Sequence, residues 1–215
     1  MMQKNIAPDL KTIAKGKGAK IPADLSIQWV ENAKGKPALR VQPMKKEFFV
    51  DDDWVVVLPG IEFTDGVIEF DALGQSDPPQ SNFLGFSFRF VDETTHDAVY
   101  FRPFNFRADD ADRKAHAVQY ISHPKHHWFD LRKDKVGRYE QPIIPPPDGD
   151  TWFHAKIVIE RPKLSVYINA ANEPSLVVEE LSNRMGGGIG LWVGPGQGGY
   201  FANLTIIPAI SSFGG

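Results

Sequence analysis

The chain has 215 residues, is 42% hydrophobic and 12% aromatic, and carries a formal net charge of −3. That is enough for one large β domain or two small ones, and it gives no electrostatic case for a nucleic-acid or anionic-membrane partner. Cysteine is absent, which excludes disulfides and thiolate metal sites, and no stretch approaches the about 18 consecutive apolar residues of a membrane span.

Residues 1–20 are basic and mostly polar, with no apolar run of signal-peptide length. As given, the chain is expected in the cytoplasm, or exported had a signal been trimmed. Pro8 to Ala14 can form one short helix with Asp9 near its start; the rest of 1–20 reads as a loosely attached arm before a single domain at 21–215. Strands follow at Ser26–Glu31 and Ala38–Val41, around the turn-like NAKGKP. Phe48–Val50 leads through Asp51–Asp53 into Trp54–Leu58, a continuous apolar run typical of a buried strand, which Pro59-Gly60 is expected to end. In Val67–Asp71, Ile68 and Phe70 point one way, Glu69 and Asp71 the other.

The stretch from Phe83 to Arg107 holds seven of the fifteen phenylalanines. Its alternation assigns Leu84, Phe86, Phe88, Phe90, Val99 and Phe101 to a core face, and Arg89, Tyr100 and Arg102 to the other. After Pro103 a bulge can reset the alternation, so Asn105 is left facing either way. ADDADRKAH reads as a charged loop, and Ala117–Ser122 as a strand with Val118 and Tyr120 opposite Ala117 and Gln119. Residues 123–150 form a long aromatic, Pro-rich loop, a length usually tied to function or poor order. Strands at Thr151–Glu160, Lys163–Asn169, Leu176–Val178, Gly188–Gly194 and Phe201–Ile207 complete the pattern, with at most a short helix near Leu181. The fold class is all-β: two antiparallel sheets packed as a sandwich or jelly roll.

FTDGVIEFD at Phe63–Asp71, Tyr100-Phe101-Arg102, Gln119, Trp152, VYIN at Val166–Asn169, GIGL at Gly188–Leu191 and FANLTI at Phe201–Ile206 recur in this order in one superfamily. Over roughly Leu25 to Ile207 the chain resembles concanavalin A-like lectin/glucanase sandwiches. Within them it is most similar to the 3-keto-disaccharide hydrolase domain family, with laminin-G-like domains as cousins. The resemblance implies a jelly roll whose concave face binds saccharides, with Glu69, Arg102 and Gln119 on that face. Ala117, Phe153, Trp192 and Gly194 depart from residues common in the family.

Several groups are site candidates. Retaining glycosidases set an acid and a nucleophile about 5 Å apart; Glu69 and Asp71 alternate on one strand, but the third carboxylate of a glucanase pattern is replaced by Leu73-Gly74, so Glu69 alone is kept as a catalytic candidate. Tyr100, Arg102, Asn105 and Gln119 supply the donors and acceptors that sugar hydroxyls need. Trp192, between Gly190 and Gly194, is expected to offer an open ring for stacking. His123, His126, His127 and Trp128 match no tetrahedral zinc spacing; they read as a surface or lid loop with Arg132, Tyr139 and Glu140, from which His123 is the acid/base candidate and Trp128 and Arg132 substrate contacts. Asp109, Asp110 and Asp112 carry calcium-type oxygens, which sites in the superfamily use, but lack the spaced Gly and Glu and read as solvated. No metal or cofactor is therefore expected, with calcium as the alternative. Two functions remain open: a carbohydrate-active protein that binds a saccharide or glycoside and hydrolyses or eliminates it, and a non-catalytic carbohydrate-binding or laminin-G-like interaction module.

Overall fold

The computed structural model describes residues 5–45, 47–49 and 51–209; residues 1–4 of the arm, Lys46, Val50, and 210–215 of the domain lie outside them. Among the described residues thirteen strands run in chain order: β1 (Leu25–Ala33), β2 (Lys36–Pro43), β3 (Trp54–Phe63), β4 (Gly66–Leu73), β5 (Leu84–Asp92), β6 (Thr95–Phe101), β7 (Val118–Ser122), β8 (Glu140–Gln141), β9 (Phe153–Glu160), β10 (Lys163–Ile168), β11 (Leu176–Glu179), β12 (Gly187–Val193) and β13 (Gly199–Pro208). They form a seven-stranded sheet, β1-β2-β13-β4-β9-β10-β11, and a six-stranded sheet, β3-β12-β5-β6-β7-β8, antiparallel throughout. The architecture is an antiparallel β-sandwich of the jelly-roll kind.

Alternation builds the core. Ile68 and Phe70 of β4, Phe86 and Phe88 of β5, Val99 and Phe101 of β6, and Phe201 of β13 are all fully buried. Phe70 sits among Phe86, Phe101 and Phe201, with ring centroids 5.7, 6.4 and 6.1 Å away. Each buried phenylalanine contributes roughly 1.5–3 kcal/mol of transfer free energy.

The alternation of β5 breaks at one residue. Arg89 has φ +52, and the pairing with β12 shifts register between Ser87 and Phe90. This bulge re-aims the side chains. Arg89, expected on the outer face, is wholly buried and forks onto Glu180 at 2.8 and 3.0 Å, with Thr64 O and Met185 O accepting from its other amino group. Phe90, expected in the core, instead stacks on His96.

Other expectations change as well. Pro59-Gly60 does not end β3: Gly60 takes φ +74, a register shift against β12 absorbs the irregularity, and the strand continues to Phe63. The charged loop contains a helix, α2 (Ala111–Ala115), whose N-cap Asp110 accepts from Arg113 N. The long loop contains another, α3 (Trp128–Asp134), while no helix forms at Leu181. The arm is docked as well. Asp9 caps a one-turn helix, α1 (Leu10–Ile13), whose Leu10 and Ile13 enter the core. Ile6 bridges to Ile206 of one sheet, and Lys20 to Val57 of the other.

Candidate functional site

A cleft of about 840 Å³ opens over the outer face of the six-stranded sheet. One wall is the segment entering β3, with Phe48, Phe49 and Asp51–Asp53. The opposite wall is α3, with Trp128 and Arg132. The 102–116 connection closes an end with Phe104, Asn105, Arg113 and His116. Period two on the strands selects the floor: Tyr100 of β6, Gln119 of β7 and Trp192 of β12 share the outer face.

Tyr100 and Trp192 stand opposite Gly85 of β5, one on each side. Because Gly85 has no side chain, the two rings close over it and stack at 4.5 Å. A Cβ at Gly85 would lie 2.6 Å from that of Tyr100. Trp192 is 4% exposed, so it is not the open platform expected from its glycine neighbours. Those glycines let the chain pack tightly: a Cβ at Gly190 would meet Val56 O at 2.4 Å, and one at Gly194 would meet Phe83 and the Trp192 ring.

Beside this stack lies a closed polar net. Arg102 donates to Tyr100 Oη (2.6 Å), Gln119 Oε1 (2.5 Å) and His116 O (2.9 Å). Tyr100 Oη donates to the same Gln119 oxygen, and Gln119 Nε2 donates to Trp128 O. Gln119 is fully buried with both ends of its amide engaged, so it supports the floor and offers no free group to a ligand. Burial pushes the Tyr100 hydroxyl up to about 12, against the pull of Arg102, and pushes the Arg102 guanidinium down. Asn105 lies in a 3-10 turn, Pro103–Asn105, rather than on a strand. Its side chain accepts from Arg113 Nε at 3.3 Å and reaches His116 O at 3.4 Å.

Two carboxylate–imidazole pairs flank the floor. Glu140, on β8 opposite Gln119, is buried and takes a two-pronged contact from Arg132 at 2.9 and 2.8 Å. His116 Nδ1 stands 2.8 Å from Glu140 Oε2, off the line of a ring hydrogen bond. On the other side, Asp53 Oδ2 accepts from Trp192 Nε1 at 2.7 Å and faces Nε2 of His96 at 3.1 Å and of His123 at 3.3 Å. Burial pushes the Asp53 carboxyl up, but His123 and His96 outweigh it and hold it well below the usual carboxylate range. Asp53, His96 and His123 are grouped closely enough to share a cation.

Of the residues expected at a site, the cleft brings together Tyr100, Arg102, Asn105, His123, Trp128, Arg132 and Trp192, over Gln119. Glu69 is elsewhere. It projects from β4 of the seven-stranded sheet, 3.8 Å from Lys156 Nζ, because β4 and β6 belong to different sheets. Its neighbour Asp71 pairs there with His154 and Lys36 at 2.8 and 2.6 Å. The acids that line the cleft are instead Asp51, Asp52, Asp53, Asp112 and Glu140, of which Asp53 and Glu140 are the least exposed. Asp53, His96 and His116 were missed by sequence reasoning because they come from separate segments with no shared spacing. Glu140 carried a signal, as the one glutamate of the long loop.

No protein-family model matches the chain, and no curated protein matches it in sequence. Solved structures match its fold. A protein of unknown function with a galectin-like fold from Bacillus subtilis superposes with TM-score 0.59 at 13% identity, over 97% of this chain and 99% of that one. A carbohydrate-binding module from Bacillus subtilis superposes with TM-score 0.54 at 14% identity, over 85% of this chain and 95% of that one. These likenesses place the chain's fold among the lectin-like jelly rolls.

Proposed function

We propose that the cleft binds a saccharide and performs acid–base chemistry on it, as a glycoside hydrolase or lyase. The observation that carries this reading is the joining of aromatic walls to two carboxylate–imidazole pairs in one cleft. Phe49, 74% exposed at the mouth, offers a ring to the C–H face of a sugar, and half-buried Trp128, with Arg132 over its ring at 4.7 Å, forms an amphipathic wall beside it. His116 beside Glu140 is an imidazole placed to carry a proton. It can protonate a departing glycosidic oxygen or take a proton from water or from a sugar carbon. His123 on Asp53 is a second such group. The saccharide ligand of the module that shares the fold supports the ligand class, and the resemblance to 3-keto-disaccharide hydrolases supports including oxidised disaccharides among the substrates tried.

The test is a panel of disaccharides, 3-keto-disaccharides and oligosaccharides, read by thermal shift and by product formation. A saccharide is expected to raise the melting midpoint of the wild type and not that of Trp128→Ala. His116→Gln is expected to keep the shift and lose about 10²–10⁴-fold in turnover. A panel that shifts nothing overturns the saccharide reading. Binding without any turnover by the wild type reduces the protein to a binding module.

A further inference from the structure

We infer that Asp53, His96 and His123 form a binding site for one divalent transition-metal ion of the zinc class, open to the cleft. The ligands come from three places: the entry to β3, the start of β6 and the residue after β7. His96 is fully buried and His123 is 7% exposed, and both aim Nε2 at one carboxylate oxygen, at 3.1 and 3.3 Å. Tetrahedral ligands at ~2.0–2.1 Å from zinc lie roughly 3.4 Å from one another, so these spacings suit the edges of a coordination polyhedron.

Hydrogen bonding alone accounts poorly for the cluster. Asp53 Oδ2 already accepts the indole N–H of Trp192 at 2.7 Å. Adding both imidazoles puts three nitrogens on an oxygen with two lone pairs. Moreover, His96 Nδ1 is buried without a partner, so hydrogen bonds do not explain why this ring is inside. Its position is held by stacking on Phe90 at 5.9 Å and by the edge of His123 at 5.1 Å. The Phe90 contact exists because the bulge at Arg89 turned that ring outward.

Two imidazoles and one carboxylate are hard-to-borderline ligands suited to zinc and its neighbours in the first transition row. Three protein ligands leave a fourth position free, the arrangement of catalytic rather than structural zinc sites. Asp53 and His123 line the cleft, so that position faces the space proposed for the saccharide. An ion there would polarise a bound hydroxyl or water, and His123 as a ligand would have no proton to transfer.

The inference does not rest on the saccharide reading, and its test uses no sugar. Chelator-treated protein is titrated with zinc chloride by calorimetry, and separately with cobalt(II) for its visible spectrum. One zinc per chain is expected, with the intense bands of four-coordinate cobalt. Asp53→Asn and His123→Gln are expected to bind zinc at least 10-fold more weakly, while His154→Gln, on the other sheet, binds as the wild type does. Far-UV circular dichroism checks that each variant is folded; should one fail, the cobalt spectrum of the wild type still decides. Absence of stoichiometric zinc, a weak six-coordinate cobalt spectrum, or undiminished binding by folded variants of Asp53 and His123 overturns the site.

Discussion

Arg102 illustrates how a residue in a ligand cleft can be chiefly structural. Its guanidinium is 5% exposed and holds Tyr100, Gln119 and the carbonyl of His116 in one net. Arg102→Ala leaves those groups unpaired and is expected to lower unfolding free energy by about 3–5 kcal/mol in urea. A lost ligand response in that variant would then report lost structure, which is why Trp128 is the better probe of binding. The Asp71–His154 pair on the other sheet gives a pH signature. Its hydrogen bond to Asp71, against burial, raises His154 above 6.5. Burial would raise Asp71 from 3.8, but bonds from His154, Lys36 and Asn203 hold it down to about 2. The histidine's contribution is full below pH 6.5 and fades as pH rises through its folded value; the aspartate's is full above pH 3.8 and fades towards pH 2. His154→Ala should therefore destabilise most between about pH 4 and 6.5, by roughly 0.5–1 kcal/mol given its exposure, and little above pH 8. Urea melts across pH would show it, and a loss that grows with alkalinity would contradict it.

Strands were readable because a half-buried strand writes its burial into every second residue. Leu84, Phe86, Phe88, Val99 and Phe101 lie in the core as the alternation requires. The pattern carries no mark of a bulge, so Arg89 and Phe90 were exchanged between faces. Short helices were also hidden: α2 and α3 have five and seven residues, too few for a 3.6-residue period to emerge. Tyr100, Arg102 and Trp192 were legible as a shared face because register follows from strand pairing. Which sheet each strand joins does not follow from alternation, and so Glu69 was grouped with residues of the opposite sheet. Gln119 and Trp192 were read as open because sequence shows residue type and not whether neighbours already satisfy it.

At the scale of the molecule, residues 6–20 act as a strap. They bridge to β13 at Ile6 and to β3 at Lys20, one strand in each sheet, and insert Leu10 and Ile13 between. The composition suggested a loose arm because five apolar residues, Ile6, Leu10, Ile13, Ala14 and Ala19, among many lysines leave little periodic signal. Leu10→Ala is expected to cost about 2–4 kcal/mol, measured as a lower urea midpoint with unchanged slope. A cost below about 0.5 kcal/mol, the range of surface substitutions, would mean that the segment is not integral to the fold.

The stack of Tyr100 on Trp192, with its indole N–H on Asp53, also makes the protein its own light source for the cleft. Trp192 touches the floor and the acid at once, and Trp128 stands on the wall, whereas Trp29 and Trp152 belong to the opposite sheet's side. Occupancy of the cleft thus alters the surroundings of two of the five indoles, and their emission can follow it without any attached dye.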